Sequence, residues 1–226
     1  MALSFDVISI GCLSRNRLWR EQQAVRAAHA TTTVIRDAGQ TILVDPSLPA
    51  ELIVHRLDER TGLKPEQIDR VFLTSFQPVH RRGLTAFDRA EWLMYPDEIE
   101  AFKTHLQQVL ATGADADQEQ MDLIRQELRL LERIEPAPDK LTKAAHLFPT
   151  PGITPGSCSL LLVPTTTTIA VAGDAVINRD YLEHGRVYER CTDATQATQS
   201  LAEVIEIADL IVCGHDNLVV RQTRGT

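Results

Sequence analysis

Three residues able to bind a metal ion stand just past three apolar, strand-like runs. His80 follows Arg70 to Ser75 (RVFLTS), Asp174 follows Thr168 to Ala172 (TIAVA), and His215 follows Leu210 to Cys213 (LIVC). Two imidazoles and one carboxylate suit a borderline divalent ion such as Zn²⁺ or Fe²⁺, and they leave coordination positions open for water or substrate. Spacing alone does not bring them together. A histidine after a strand commonly serves as a hydrogen-bonded structural residue, and an Asp after a Gly commonly forms a turn. A metal-free alternative pairs Ser75 as nucleophile with His80 as base, but the context is not that of a nucleophile elbow. Nearby, Gln77 offers a carbonyl oxygen and His184 a further imidazole. Arg81 and Arg82 offer two guanidinium groups, read in the first instance as solvated surface charge.

The elements that must position these residues are legible as alternating β-rich and helical stretches. Ser4 to Gly11 and Thr32 to Asp37 read as strands, and Ala38-Gly39-Gln40 turns the chain into the strand Thr41 to Asp45. Pro49 to Arg60 reads as a helix with Leu52, Ile53, Val54 and Leu57 as its apolar face. The spacing of Ile99, Phe102, Leu106 and Val109, then of Met121, Ile124, Leu128 and Leu131, predicts a helical hairpin over 96–134 with a loop at Ala111 to Asp117. Its stripes serve packing on the parent domain, a lid over a pocket, or a homodimer face. Ser157 to Val163 and Thr168 to Ala172 predict a second hairpin, followed by a helix over Thr195 to Ile207 and a strand over Leu210 to Val212. Two β-rich halves with helices predict an α/β sandwich of two sheets, and no linker divides the 226 residues, which are read as one domain.

The net charge of -8 argues against nucleic acid or an anionic membrane as a partner, because both reward clustered Lys and Arg. A small-molecule ligand or substrate fits better. The four cysteines, Cys12, Cys158, Cys191 and Cys213, form no C-x-x-C pair, and Cys158 and Cys213 sit in apolar runs where a reduced core thiol is expected. The first residues lack the pattern of a secretory signal, and no apolar stretch is long enough to span a bilayer, so a cytoplasmic location is expected.

From Thr32 to Asp216 the order of landmarks resembles the metallo-β-lactamase superfamily of metal-dependent hydrolases. Ile42-Leu43-Val44-Asp45 is similar to the strand ending in that family's Asp-Thr-Gly. Thr74 to His80 occupies the place of its Thr-His-x-His-x-Asp-His motif. Thr150-Pro151-Gly152-Ile153-Thr154-Pro155-Gly156 is close to Thr-Pro-Gly-His-Thr-Pro-Gly. Gly173-Asp174 and Gly214-His215 match its later strand ends. The resemblance implies a four-layered αββα sandwich of two mixed β-sheets with helices outside, and it gives His80, Asp174 and His215 a common place in space.

It also exposes what is missing. The family's first metal is held by histidines at positions that here carry Ser75, Gln77 and Ile153. The second uses an aspartate where this chain has Val79, together with residues matching His80 and His215, and Asp174 would bridge the two metals. Val79 also removes a carboxylate that commonly orients or deprotonates the attacking water. The resemblance therefore implies a degenerate site holding at most one Zn or Fe ion, with no dinuclear centre. The function it leaves is at most a single-metal hydrolase of a small ester, lactone or thioester. The alternative is a non-catalytic pseudoenzyme that uses the former cleft to bind a ligand or partner.

Overall fold

The strands of this chain are short apolar runs because most of them are covered on both faces. A computed structural model describes residues 3–112 and 117–221. One sheet runs in the order β1 (Ser4–Ser9), β2 (Thr32–Asp37), β3 (Gln40–Val44), β4 (Arg70–Leu73), β5 (Glu91–Met94) and β6 (Glu135–Pro136). The other has β7 (Ala145–Pro149), β8 (Cys158–Leu162), β9 (Ile169–Gly173), β10 (Leu210–Cys213) and β11 (Leu218–Val220), with β7 and β11 at its edges. Both sheets are mixed. The β1–β2–β3 meander is antiparallel and continues into parallel β4, β5 and β6, while β9 and β10 are the parallel pair of the second sheet.

Alternation within single strands assigns the layers. Ile42 and Val44 of β3 join Ile35, Phe72 and Leu93 in facing Leu160, Leu162, Ile169, Val171 and Val212 of the other sheet. Leu43, between them, turns to the opposite face, where Val34, Val71, Leu73 and Trp92 meet Ile53 and Leu57 of α1 (Ala50–Thr61). Ala170, Ala172 and Ile211 cover the far side of the second sheet beneath Leu201 and Val204 of α6 (Ala194–Ile207). The result is helix, sheet, sheet, helix, as the sequence predicts, and near-continuous apolar strands are what such double burial demands.

Both predicted hairpins form. Ala38 and Gly39 have φ of 52° and 83°, the positive pair that a two-residue turn of this hand requires between Asp37 and Gln40. β8 and β9 pair antiparallel from Leu160↔Val171 to Leu162↔Ile169. Residues 96–134 hold two helices, α3 (Pro96–Thr112) and α4 (Gln118–Leu131); most of the loop expected between them lies outside the described residues. Ile99, Phe102, Leu106 and Leu130 pack against the core on the outer face of the first sheet. Pro136 does not simply end this segment: Glu135–Pro136 pairs with β5 as a short edge strand, where the missing N–H of proline is harmless. Cys158 and Cys213 are free and buried, and burial pushes both thiols up to about 12.

Phe72 is fully buried between the sheets, so Phe72→Ala should cost about 3–5 kcal/mol. The half-exposed Leu52→Ala should stay within about 0.5 kcal/mol. Urea denaturation of the two variants checks the contrast.

Candidate metal centre

Three strand ends meet at one edge of the sandwich, and the chain must be unusually thin there for them to do so. After β9, Gly173 takes φ 52°, and a Cβ on it would lie 2.6 Å from Thr74 Oγ1, just past β4. After β10, a Cβ on Gly214 would lie 2.6 Å from Gly173 O and 2.8 Å from Asp174 Oδ1. Both glycines are required by close approach rather than by a turn. Their followers, Asp174 and His215, are thereby pressed against the loop that carries His80. That histidine sits on α2 (Pro78–Arg81), a single turn tied down by Ala30 N–H to Val79 O at 3.0 Å and Gly83 N–H to Pro46 O at 2.8 Å.

The three sequence-predicted ligands converge. His80 is fully buried, and Asp174 and His215 nearly so, with one ligand atom from each lying within 4.8 Å of the others. His80 Nε2 is 3.3 Å from Asp174 Oδ2, and His215 Nε2 is 3.1 Å from Asp174 Oδ1. The edge of a tetrahedral zinc shell with bonds of about 2.0–2.1 Å is roughly 3.4 Å, so these spacings suit ligands of one ion. They do not suit hydrogen bonds as well: His80 Nε2 and Asp174 Oδ1 lie within attractive range of their neighbours, yet both are buried without a hydrogen-bond partner. Buried polar atoms are rarely left so, unless something else is meant to satisfy them.

The other nitrogen of each ring is already occupied. His80 Nδ1 faces Asp45 Oδ2 at 3.0 Å, with Thr74 Oγ1 at 3.3 Å. His215 Nδ1 faces two carbonyls, those of His29 at 2.9 Å and Cys12 at 3.2 Å. With Nδ1 donating, the lone pair of each Nε2 points at the group, which is the arrangement by which outer partners orient metal-binding histidines. Asp45 is a functional residue that the sequence reading treated only as a strand end. Its φ is 50°, and its carboxylate also accepts Thr74 N–H at 2.9 Å and Thr74 Oγ–H at 2.6 Å. Its local sequence does not set it apart from a solvated acid at a strand end, because its partners Thr74 and His80 lie about thirty residues further on.

The remaining candidates fall elsewhere. Ser75 Oγ accepts Gln77 N–H at 3.2 Å, while His80 turns both ring nitrogens to Asp45 and Asp174, so the Ser75–His80 pair does not form. His184 is exposed and bonded to Asp180 O at 2.7 Å. Gln77 and Ile153 line a separate cavity. Arg82 is exposed as expected, but Arg81 is a correction: it is buried, stacked 3.9 Å over the Phe76 ring and ion-paired with Glu127 of α4. Burial of a guanidinium is tolerated there because aromatic face, carbonyl and carboxylate all receive it.

The segments that would carry the first metal's histidines are joined by a residue the sequence did not single out. Glu98, in the first turn of α3, is fully buried; its carboxylate accepts Phe76 N–H at 3.1 Å, Thr154 Oγ–H at 2.8 Å and Gly156 N–H at 3.1 Å. Burial pushes the Glu98 carboxyl above its ordinary range, and these donors pull back against it.

The profile of the metallo-beta-lactamase superfamily matches residues 25–215. The chain belongs to that superfamily. No curated protein matches it in sequence. Among solved structures, a putative metallo-beta-lactamase from Thermotoga maritima is 15% identical with a TM-score of 0.69, over 98% of this chain and 100% of its own. AidC, a dizinc quorum-quenching lactonase in complex with a product, is 14% identical with a TM-score of 0.70, over 99% and 90%. An AiiA variant from B. thuringiensis with N-decanoyl-L-homoserine at its active site is 18% identical with a TM-score of 0.62, over 96% and 94%. At these identities the likeness is one of fold. This superfamily member keeps the fold over nearly its whole length. No helix among its described residues is long and apolar enough to cross a membrane.

Protonation decides how the ligand group behaves without metal. Burial alone would lower the His80 pKa, but the carboxylates of Asp174 and Asp45 outweigh it and raise it well above the ordinary value. For Asp174 burial opposes ionisation, and the two histidines overcome it, holding its pKa far below the usual carboxylate range. A raised histidine pKa contributes stability present below about pH 6.5 and lost as pH rises through the folded value. A lowered aspartate pKa contributes stability present above about pH 3.8 and lost as pH falls through the folded value. Chelator-treated protein should therefore be most stable between those limits, and Asp174→Asn should flatten the alkaline decline. Thermal melts from pH 4 to 9 check both.

Proposed function

We propose that this chain is a hydrolase reduced to a single metal ion, zinc or iron(II), held by His80, Asp174 and His215 and acting on a small ester, lactone or thioester. The observation that carries the reading is the pair of buried, unpartnered atoms, His80 Nε2 and Asp174 Oδ1, inside a group whose outer nitrogens are already anchored. When bound, such an ion supplies Lewis-acid polarisation of water and of a carbonyl group. The protein's own part is to hold Nδ1–H of His80 on Asp45, to hold Nδ1–H of His215 on backbone carbonyls, and to keep both Nε2 lone pairs fixed without reorganisation. With Val79 in place of a carboxylate, Asp174 is the acid left beside the reacting atoms to accept a proton from water. AidC is a lactonase holding an acyl-homoserine product and the AiiA variant holds N-decanoyl-L-homoserine, which puts lactones among the substrates to try first.

A second reading, a non-catalytic protein binding a ligand or partner in the old cleft, is favoured by one specific feature. Ile153, almost fully buried, puts an apolar group where the family has an imidazole.

Protein purified without chelator should carry close to one equivalent of metal by elemental analysis, and His80→Ala, Asp174→Ala or His215→Ala should abolish it. Asp45→Asn should weaken metal affinity by about 10–100-fold while leaving the fold intact. Metal below about a tenth of an equivalent, with none taken up from added Zn²⁺ or Fe²⁺, would sink the proposal. Full metal occupancy with no turnover of homoserine lactones, aryl esters or acyl thioesters would instead favour the second reading.

A further inference from the structure

Beside the ligand group, where the first metal's histidines are missing, lies a cavity of about 380 Å³, a size suited to a small molecule. One wall is the exposed side of α3 with Ala101, Phe102 and His105; the other is the loop with Ile153 and Pro155; Arg190 closes one side. Gln77 reaches the same space from the residue before the His80 helix. The cavity is thus lined by two of the three residues that replace ligands of the first metal, and its lining is mainly apolar.

Its charge has one sign to offer. Arg190 makes no ion pair among the described residues, although the chain as a whole carries a net charge of -8. Glu98 is bonded to Thr154 but is fully buried and spent on three donors. Asp97 and Glu100 line an adjoining groove that shares Ala101, His105 and Pro155 with the cavity, and neither lines the cavity itself.

We propose that this cavity is a binding site for an aliphatic carboxylate, its chain lying along Phe102, Ile153 and Pro155 and its anionic end on Arg190. The pairing is what each part is suited to: an apolar trough gains free energy only from an apolar body, and a guanidinium fork receives a carboxylate with two parallel hydrogen bonds. The site is distinct from the metal-binding group and does not need it.

The test uses full-length, chelator-treated protein, with octanoate, octanol and octylamine titrated by calorimetry. Octanoate should bind, and octanol should bind at least about tenfold more weakly, the factor expected for one lost charge-assisted contact. Arg190→Gln should weaken octanoate by about the same factor and leave octanol unchanged, and Phe102→Ala should weaken both. Thermal melts of the two variants separate loss of the site from loss of the fold. No octanoate binding, equal binding of octanoate and octanol, or preference for octylamine would overturn the proposal. Octanoate binding that appears only after Zn²⁺ is added and ignores Arg190→Gln would also overturn it, because the carboxylate would then be seated at the metal. Metal content is measured on the same samples, so failure here leaves the single-metal reading standing, and failure of that reading leaves this one testable.

Discussion

Two buried carboxylates facing one buried imidazole set the terms for the rest of this structure. Asp45 and Asp174 stand on either side of His80, at 3.0 Å and 3.3 Å, and none of the three has appreciable access to water. Two negative charges removed from solvent are tolerable only if positive charge is placed between them. A proton on His80, whose pKa the neighbouring carboxylates raise, supplies it. The fold is arranged around that need: three strand ends brought together, two glycines thin enough to let them touch, and backbone carbonyls of the N-terminal segment reaching His215.

Much of this was readable from residues. Strands buried on both faces announce themselves as apolar runs, so β2, β3, β4, β8, β9 and β10 and the layer order were legible, as were both hairpins. At the edges β1 was legible too, but the others were not: Glu135–Pro136 and Leu218–Val220 are too short to show a period, and Ala145–Pro149 mixes a histidine and a proline into its run. Trp92-Leu93-Met94 of β5 was masked by the helical pattern that starts immediately after it.

The site was legible in its ligands and illegible in their supports. His80, Asp174 and His215 carry chemistry in their residue types, and the family resemblance gave them a shared address. Asp45, Glu98 and Arg81 do their work through burial, which sequence does not display: each looks like an ordinary surface charge in its local context. Arg81 was misread for that reason. Its partners, Phe76 and Glu127, are respectively five residues away around a bend and forty-six away on another helix.

Glu98 ties two loops together from inside the chain. Its carboxylate accepts from Phe76 N–H on one side and from Thr154 Oγ–H and Gly156 N–H on the other, so hydrogen bonds alone set the spacing of the two segments. The strut has no slack: a side chain one methylene shorter would fall away from buried donors on at least one side and leave them without an acceptor. Order at this end of the sandwich is thereby written into one side chain rather than spread over a face of packed residues.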